Sequence, residues 1–170
     1  MIFLENYIAM DNLTNRDWII VTGAGSGIGF DVAQSLCEKG EGVIAFDCDN
    51  EKLNEAFRGS VGSVVYRCLD VRDAGVVSTS IDSLRGEVGA IKGLVNCAGV
   101  YPVTPFLDIT VGEWDEVLNT NLRGAFIVSQ AVARSMIAER IQGSIVNVTS
   151  TAATFCRPGV SHYGSSKAGL

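Results

Sequence analysis

Short apolar runs alternate along the chain with longer stretches in which apolar residues recur every three or four positions. The short runs are rich in β-branched residues and predict strands, whereas the helical spacing predicts helices between them. The predicted strands cover residues 18–21, 43–46, 63–68, 91–96 and 144–148. The predicted helices begin near residues 28, 51, 73, 110 and 161.

Strands that alternate with helices are typical of βαβ units, which build a buried parallel sheet. Right-handed crossovers place helices on both faces of such a sheet. The pattern therefore predicts an α/β fold, a Rossmann-like doubly wound parallel sheet. Asn50 is a possible N-cap of the second helix, Thr110 and Glu113 have the spacing of a capping box, and Gly40 is a plausible helix stop.

The chain has 170 residues, of which 47% are apolar and 19% charged, as in a single well-cored domain. Its net charge of -6 argues against nucleic-acid or anionic-membrane binding. Residues 1–10 lack the basic start of a signal peptide, and no stretch approaches the roughly 20 apolar residues of a membrane helix. We expect an N-terminal extension over 1–16, within which Met10 is a candidate start, and a folded domain over 17–170.

The chain has five cysteines, no Cys-x-x-Cys pair and a single histidine, His162. So few candidate ligands predict no metal site. The same cysteine usage favours reduced, mostly buried thiols and a cytoplasmic location. His162 itself is expected at the surface or at the rim of a pocket.

A glycine-rich turn, Thr22-Gly23-Ala24-Gly25-Ser26-Gly27-Ile28-Gly29, follows the first predicted strand and opens the first predicted helix. In this context Gly23 permits a tight turn, Gly27 lets the backbone approach a phosphate, and Gly29 lets the helix pack closely on the sheet. The helix N-terminus offers free N–H groups and a partial positive charge to a pyrophosphate. No Lys follows the last glycine, which argues against a nucleoside-triphosphate loop. A purely structural turn is the alternative for this motif alone.

Asp47 lies at the end of the second predicted strand, 20 residues after Gly27. A carboxylate there can accept hydrogen bonds from the adenosine ribose and would repel a 2′-phosphate. The expected neighbours, Ser26 and Cys48, bring no compensating cation. The sequence therefore favours NAD over NADP as cofactor.

Tyr163 and Lys167 are four residues apart, so they share one face of a helix. An ammonium group beside a phenol stabilises the phenolate, which makes the phenol a usable acid or base. Ser150 precedes Tyr163 by 13 residues, and no Gly-x-Ser-x-Gly motif surrounds it, which argues against a hydrolase serine. Each signal alone has a bland alternative, such as a capping role for Ser150. Their order along the chain predicts redox chemistry with a nicotinamide cofactor.

This ordered set, together with Asp70-Val71, Asn96-Cys97-Ala98-Gly99 and Asn121, resembles the short-chain dehydrogenase/reductase family over residues 17–170. The resemblance implies an NAD(P)-dependent oxidoreductase that transfers a hydride between nicotinamide and a secondary alcohol or ketone. It implies that the catalytic residues are Asn121, Ser150, Tyr163 and Lys167. It implies that the cofactor is bound by Gly23, Ser26, Gly27, Ile28, Gly29, Asp47, Asp70, Val71, Asn96, Ala98, Gly99, Tyr163 and Lys167.

The resemblance also implies a role for each catalytic residue. Tyr163 would be the general acid in carbonyl reduction and the general base in alcohol oxidation. Lys167 would bond the nicotinamide ribose, and Ser150 would hold the substrate oxygen. Asn121 would anchor a water that leads protons away from Lys167. Asp70 would approach the adenine.

Two departures from the family pattern stand out. Cys97 occupies the place of a second asparagine, so one supporting hydrogen bond near the central strands is expected to be missing. The family usually adds two strands and a substrate lid after the Tyr/Lys helix, which implies a C-terminally truncated chain with an exposed fifth strand. The full-length form would be a homo-oligomer, a dimer or tetramer.

Three hypotheses follow: an active dehydrogenase, a non-catalytic NAD-binding protein, and a remnant that does not fold stably. For the chain of 170 residues the expectation is no useful reduction of carbonyl compounds. The sequence does not identify the substrate.

Overall fold

The computed structural model describes residues 16–59, 64–155 and 157–170. Within them, five strands form one parallel sheet in the order β3-β2-β1-β4-β5. The strands are β1 (Trp18–Thr22), β2 (Gly42–Asp47), β3 (Val64–Cys68), β4 (Ile91–Asn96) and β5 (Ser144–Asn147). The described strand ends fall within one residue of the predicted ones, while the predicted start of β3 at Ser63 lies outside the described residues.

Six α-helices connect or follow these strands in the described ranges. They are α1 (Gly27–Glu38), α2 (Asn50–Ala56), α3 (Ala74–Glu87), α4 (Val111–Leu118), α5 (Ala125–Ala138) and α6 (Ser161–Gly169). The pattern from Thr110 predicts a helical stretch to about Ile137 that allows for a break, and the structure has a π-helical turn at Asn119–Gly124 between α4 and α5.

Capping side chains set the starts of three helices. The prediction that Asn50 caps α2 is wrong, because Asn50 is already helical and the carboxylate of Asp49 accepts from the amides of Glu51 and Lys52. Asp73 caps α3 in the same way. Thr110 accepts from the amide of Glu113 at the start of α4, as half of the predicted capping box requires. The Glu113 carboxylate makes its described hydrogen bonds elsewhere.

The central strands β2, β1 and β4 are largely buried on both faces, which explains their nearly continuous apolar sequences. One core lies between the sheet and α3 and α5, and it contains Trp18 and Ile20 of β1. The other core lies between the sheet and α1 and α2, and it contains Val21 of β1. The fold is therefore the predicted Rossmann-like α/β arrangement with helices on both sides.

The strand order reverses between β1 and β4, so the connections that follow these two strands leave in opposite directions and open a crevice at their carboxyl ends. The Thr22 hydroxyl oxygen at the end of β1 accepts hydrogen bonds from the amides of Cys97 and Ala98, at 3.1 and 3.0 Å. These bonds fix the floor of the crevice, because they tie the segment after β4 to the end of β1.

The edge strand β5 pairs with β4, and all four of its residues are exposed. Ile145 and Val146 keep 37% and 53% of their surface accessible. The exposed apolar fifth strand expected from the sequence is therefore present in the described fold.

The cysteine expectation needs a correction. The four described cysteines are free thiols, but Cys48 and Cys68 are exposed and Cys37 and Cys97 are only partly buried. These thiols are thus not mostly buried, because Cys48 and Cys68 lie at the open carboxyl ends of β2 and β3. Cys156, the expected extension over residues 1–16 except for Arg16, and the candidate start at Met10 lie outside the described residues.

The described residues contain neither a membrane-spanning helix nor a cluster of metal-ligating side chains. None of the helices there is both long and apolar enough to cross a bilayer. No group of three or more His, Cys, Asp or Glu side chains is placed there so that it could hold a metal ion.

Candidate active site

The glycine-rich turn joins β1 to α1, and its backbone at Gly29 lies close to its backbone at Gly23. A Cβ on Gly29 would lie 2.2 Å from the carbonyl oxygen of Gly23, so only glycine lets the helix start this near the strand. Gly27 has a φ of 54°, and a Cβ there would meet no atom within 4 Å. The backbone at Gly27 therefore faces open space at the N-terminus of α1, where Ser26 makes no side-chain cap bond.

A cleft of about 480 Å³ opens at this turn, at the point where the strand order reverses. Ten residues predicted to bind the cofactor line the cleft: Gly23, Ser26, Gly27, Ile28, Gly29, Asp47, Asp70, Val71, Ala98 and Gly99. Eight further lining residues were not predicted: Cys48, Lys52, Leu69, Arg72, Cys97, Val100, Glu116 and Thr120. The carboxyl ends of β1 to β4 thus meet around one space.

Asp47 is held rigidly against the glycine turn. One carboxylate oxygen accepts from the amide of Gly25 at 2.9 Å, and the other accepts from the amide of Asp49 at 3.0 Å. Each oxygen keeps a second lone pair for a ligand hydroxyl. The carboxylate is therefore placed in the cleft with its direction fixed by backbone.

Lys52 is a cation of the cleft that sequence reasoning missed. Its ammonium pairs with Asp49 at 3.3 Å, and its Cβ would lie 3.0 Å from a Cβ placed on Gly25. With Asp49 as the N-cap, Lys52 is the third residue of the helix, and its amide donates to the Asp49 carboxylate at 3.1 Å.

Asp70 forms a forked ion pair with Arg72, which also lines the cleft. The shortest contact between them is 2.6 Å. The hydrogen bonds from the Arg72 side chain lower the pKa of the Asp70 carboxyl below its ordinary value, against the opposing effect of burial.

Val71 lies between these two residues in the sequence and is buried. It packs against the π-helical turn, since a Cβ on Gly124 would lie 2.7 Å from the Val71 Cγ2.

Gly99 lines the cleft and lies next to Asn121 and Lys167, which, like Tyr163, are not among the residues that line it. A Cβ on Gly99 would lie 3.1 Å from the Asn121 side-chain oxygen and 3.8 Å from the Lys167 ammonium. The fully buried Asn121 amide donates to the Val100 carbonyl and to the Ser166 hydroxyl, and its oxygen accepts from the Val100 amide. Both amide protons are therefore used within the fold, and the predicted water could be anchored only through an oxygen of Asn121.

Lys167 and Tyr163 lie side by side on α6, as their spacing predicts. The Lys167 nitrogen lies 5.9 Å from the centre of the Tyr163 ring and donates a hydrogen bond to the Val148 carbonyl at 2.8 Å. Lys167 is 6% exposed, and this burial lowers its pKa, with Cys97 as a smaller opposing influence. The ammonium is thus held between α6 and the end of β5.

Ser150 begins a 3-10 turn over Thr151–Ala153, where its hydroxyl oxygen accepts from the amide of Ala152 at 3.1 Å. This turn packs against α6, since the Ala152 carbonyl lies 3.0 Å from the position of a Cβ on Gly164. Ser150 is therefore next to the Tyr163 helix and acts as a cap. Its predicted contact with substrate stays a prediction.

Asn96 lies behind the cleft and not among the residues found to line it. It is 3% exposed, and its amide donates to Ser129 and to Asn147, both at 2.9 Å. Its side-chain oxygen has no hydrogen-bond partner in the described part of the chain. Asn96 thus links β4 to β5 and α5 through its side-chain hydrogen bonds.

The next residue, Cys97, is partly buried. Burial raises the pKa of its thiol, and the charge of Lys167 opposes this effect.

His162 contradicts the expectation of a surface or rim position, because it is fully buried. Its Nε2 lies 3.0 Å from a carboxylate oxygen of Glu113. The first turn of α6 lies against α4, so the residue beside Tyr163 points into that contact. Adjacent helix residues face different ways, but the sequence did not show which protein element lay on the His162 side.

Known proteins resemble this chain over most of its length. A family model described as short chain dehydrogenase matches residues 17–170. The chain is 39% identical over 151 residues to carbonyl reductase [NADPH] 2 of Sus scrofa, a match covering 89% of this chain and 60% of that protein. It is 36% identical over 154 residues to the 3-oxoacyl-[acyl-carrier-protein] reductase FabG of Thermotoga maritima, covering 89% of this chain and 62% of the relative.

Solved structures share the fold. A short chain dehydrogenase from Bacillus anthracis superposes with a TM-score of 0.86 at 32% identity, covering 90% of this chain and 63% of that structure. An NAD+-bound xylitol dehydrogenase gives a TM-score of 0.83 at 31% identity, covering 92% of this chain and 61% of the other. The chain spans about three fifths of the length of these relatives. With its family match over nearly the whole described fold, the chain belongs to the short-chain dehydrogenase family.

Proposed function

We propose that residues 17–170 form an NAD-binding domain, and that the protein transfers a hydride between nicotinamide and a secondary alcohol or ketone. The observation that carries this proposal is the cleft, which gathers the glycine turn, Asp47 and Gly99 within one space. Gly99 in turn adjoins Lys167, which lies beside Tyr163. The cofactor site and the proposed acid–base pair are therefore contiguous.

The residues present fit a dinucleotide. The open space above Gly27 lies at the N-terminus of the 12-residue helix α1, which has no acidic residue in its first turn. Unpaired N–H groups and the helix dipole there favour a pyrophosphate. The carboxylate of Asp47, held by its backbone hydrogen bonds, can accept hydrogen bonds from ribose hydroxyls. The same cleft is also lined by Asp70, Ala98 and Gly99.

We infer a preference for NAD over NADP. The carboxylate of Asp47 would repel a 2′-phosphate, and its two backbone bonds keep it from turning away. Lys52 and Arg72 are nearby cations, but each is paired with an aspartate, Asp49 and Asp70 respectively. The named relatives include an NADPH enzyme and an NAD+-bound one, so the preference rests on Asp47 of this chain.

The proposed chemistry divides among four residues. Nicotinamide, when bound, supplies or accepts the hydride. Tyr163 gives a proton to the carbonyl oxygen in reduction and removes it in oxidation, and the neighbouring Lys167 favours the phenolate by its charge. Ser150 holds the substrate oxygen, and Asn121 supports the proton path through an oxygen atom. These roles extend family expectations to residues that the fold brings together.

Three further parts of the proposal concern the whole protein. Its substrate is a small alcohol or ketone, in keeping with relatives named D-threitol dehydrogenase and L-xylulose reductase. Its full-length form is a homo-oligomer, with α5 and α6 as candidate contact helices. Its location is the cytoplasm, consistent with four free described cysteines.

Cofactor binding is tested directly with this chain. NADH is titrated while its fluorescence is followed, and thermal melts are recorded with and without NAD, because a ligand of the folded state raises its stability by mass action. Gly27→Ala should weaken binding, since its methyl group enters the space for the pyrophosphate. Gly59→Ala is the matched control, because Gly59 also has a positive φ and open surroundings but lies outside the cleft.

A melting temperature that NAD does not change, with no change in NADH fluorescence, would reject the proposed cofactor site. Equal weakening by Gly27→Ala and Gly59→Ala would also reject it, since backbone strain would then explain the effect. Where turnover is measured, Tyr163→Phe should abolish it and leave NADH binding within about twofold, because the substitution removes only the hydroxyl that gives the proton and keeps the ring.

A further inference from the structure

Thr104, Glu113 and His162 form a hydrogen-bonded cluster that the proposed chemistry does not use. The Nε2 of His162 lies 3.0 Å from Glu113 Oε1, and the Thr104 hydroxyl donates to the same oxygen at 2.6 Å. His162 has no exposed side-chain surface, whereas Glu113 keeps 25% of its own. The three residues come from the loop after β4, from α4 and from the first turn of α6, so the cluster joins three separate elements.

The hydrogen bonds of this cluster have a preferred arrangement. The His162 Nδ1 is buried and has no partner among the described residues. With its proton on Nε2, the imidazole donates to Glu113, and only a lone pair on Nδ1 is left without a partner. The bonds from Thr104 and, to a lesser extent, from His162 lower the pKa of the Glu113 carboxyl. The Glu113 carboxylate therefore serves as the shared acceptor that draws the loop and the helix together.

Two further contacts fasten the same loop to the segment before α6. The amide of Thr104 donates to the Gly159 carbonyl at 2.8 Å. The Val103 side chain lies 3.0 Å from the position of a Cβ on Gly159. The loop over 101–104 thus runs along the start of α6, with Thr104 bound through both its backbone and its side chain.

The loop brings a second aromatic ring against the proposed acid–base residue. The rings of Tyr101 and Tyr163 have centres 4.5 Å apart and an interplanar angle of 85°. This edge-to-face arrangement is one that aromatic pairs favour. Tyr101 is 54% exposed, so its ring also forms a wall beside the phenol at the open side of the site.

We propose that Glu113 and His162 are positioning residues for Tyr163: by tying the 101–104 loop to the first turn of α6, they hold the Tyr101 and Tyr163 rings in their edge-to-face arrangement and so set the direction of the phenol. The importance of this positioning for turnover rests on the proposed function of Tyr163. The positioning itself is measurable in the cofactor-free chain.

The test is NMR of the full chain with 13C-labelled tyrosine rings and without cofactor. The chain has four tyrosines, and Tyr101→Phe and Tyr163→Phe assign two of the signals. In the wild type, the Tyr163 signal should be displaced by the ring current of Tyr101, and Tyr101→Leu should remove that displacement. Glu113→Ala and His162→Phe should each reduce it by more than half. Glu113→Gln should retain it, because an amide oxygen can accept from both His162 and Thr104.

Two internal controls separate positioning from general disruption. Asp115→Ala removes an exposed carboxylate from the same helix and should leave the Tyr163 signal unchanged. Tyr66, whose hydroxyl donates to Asn54 at 2.8 Å on the other side of the sheet, reports whether the fold survives. If Glu113→Ala or His162→Phe changes the Tyr66 signal, the proposal is tested with Thr104→Val instead. This substitution removes only a hydroxyl from the cluster.

A Tyr163 signal that stays fully displaced in Glu113→Ala or, where that variant unfolds, in Thr104→Val overturns the proposal. The proposal is also overturned if Glu113→Gln or Asp115→Ala reduces the displacement of the Tyr163 signal as much as Glu113→Ala does. The hydrogen bonds to the shared acceptor oxygen would then not be the cause of the reduction. Failure of NAD to bind in a separate titration would reject the proposed function and leave these NMR results standing.

Discussion

The ammonium of Lys167 lies 5.9 Å from the centre of the Tyr163 ring while it donates a hydrogen bond to the carbonyl of Val148. The lysine side chain is buried, and burial lowers its pKa. In the described part of the chain, its ammonium donates to a single backbone carbonyl. One such hydrogen bond offsets only part of the free energy that it costs to remove a charge from water. The fold therefore carries a destabilising cation at the place where the proposed chemistry needs one.

This relationship predicts that the stability of the chain depends on pH through Lys167. The unfolded-state pKa of lysine is about 10.4, above the lowered folded-state value. Between the two values, the unfolded chain holds a proton that the folded chain has released, so the free energy of unfolding rises with pH. We expect the stability of the wild type relative to Lys167→Met to increase with pH below about 10.4, the pKa of lysine in the unfolded chain.

Urea unfolding of both proteins at several pH values measures this difference. Cys97 has a raised pKa and lies close to Lys167, so Cys97→Ser is introduced into both proteins to remove its titration. A difference that stays constant, or that falls as the pH rises, would show that the folded-state pKa of Lys167 is not lowered.

A second prediction concerns the close packing of α1 on β1. Gly29→Ala places a methyl group 2.2 Å from the Gly23 carbonyl oxygen and 3.1 Å from that of Thr22. Overpacking against backbone atoms should lower the free energy of unfolding by about 3 kcal/mol. It should also weaken NADH binding, because the helix start has to move away from the turn.

Gly86→Ala is the control for this substitution. Gly86 is also helical, in α3, and a Cβ there would meet nothing within 4 Å. Alanine should therefore stabilise the chain at this position by about 0.5–1 kcal/mol. Chemical denaturation compares the two variants, and a Gly29→Ala protein as stable as the wild type would contradict the packing argument.

The parts of the fold that follow from local pattern were predicted from the sequence. Strand positions were correct because each buried strand has its own apolar run between glycine and polar residues. The glycine turn and Asp47 were placed in one cleft because parallel strands end at the same edge of the sheet. The prediction of the N-cap was wrong at the start of α2. Asp49 and Asn50 are both good capping residues, so residue type alone does not distinguish them.

Features that depend on distant contacts were missed. The π-helical turn at Asn119–Gly124 leaves Asn121 facing the Val100 backbone, a contact across 21 residues. The burial of His162 depends on Glu113, which is 49 residues away. No periodicity in either segment encodes these partners. The sequence therefore predicted a helical stretch with a break of no stated place or kind, and a histidine at the surface or at the rim of a pocket.

A third prediction tests the role of Asp47 in cofactor choice. Asp47→Asn removes the negative charge but can keep one of the two backbone hydrogen bonds. NAD should bind about tenfold more weakly, because charge-assisted bonds to the ribose are lost. The ratio of NAD to NADP affinity should fall, because the repulsion of a 2′-phosphate is also lost.

Isothermal titration with both cofactors measures the two affinities. Glu51→Gln removes an exposed acid close by on α2 that is not among the residues lining the cleft, and should change neither affinity by more than about twofold. An unchanged affinity ratio in Asp47→Asn would show that another group sets the preference, with Lys52 as the first residue to examine.

The last prediction concerns the open edge of the sheet. All four residues of β5 are exposed, and Val146 presents 53% of its surface beside unpaired backbone groups. An apolar strand edge of this kind promotes pairing between molecules, and an edge lysine opposes it. Val146→Lys should therefore reduce self-association of the chain, measured by light scattering and sedimentation at increasing concentration. Ile137→Lys is the matched control, because Ile137 is 77% exposed but lies on α5, away from the edge. Equal reduction by both variants would assign the association to general surface hydrophobicity, whereas a reduction confined to Val146→Lys would assign it to strand pairing at β5.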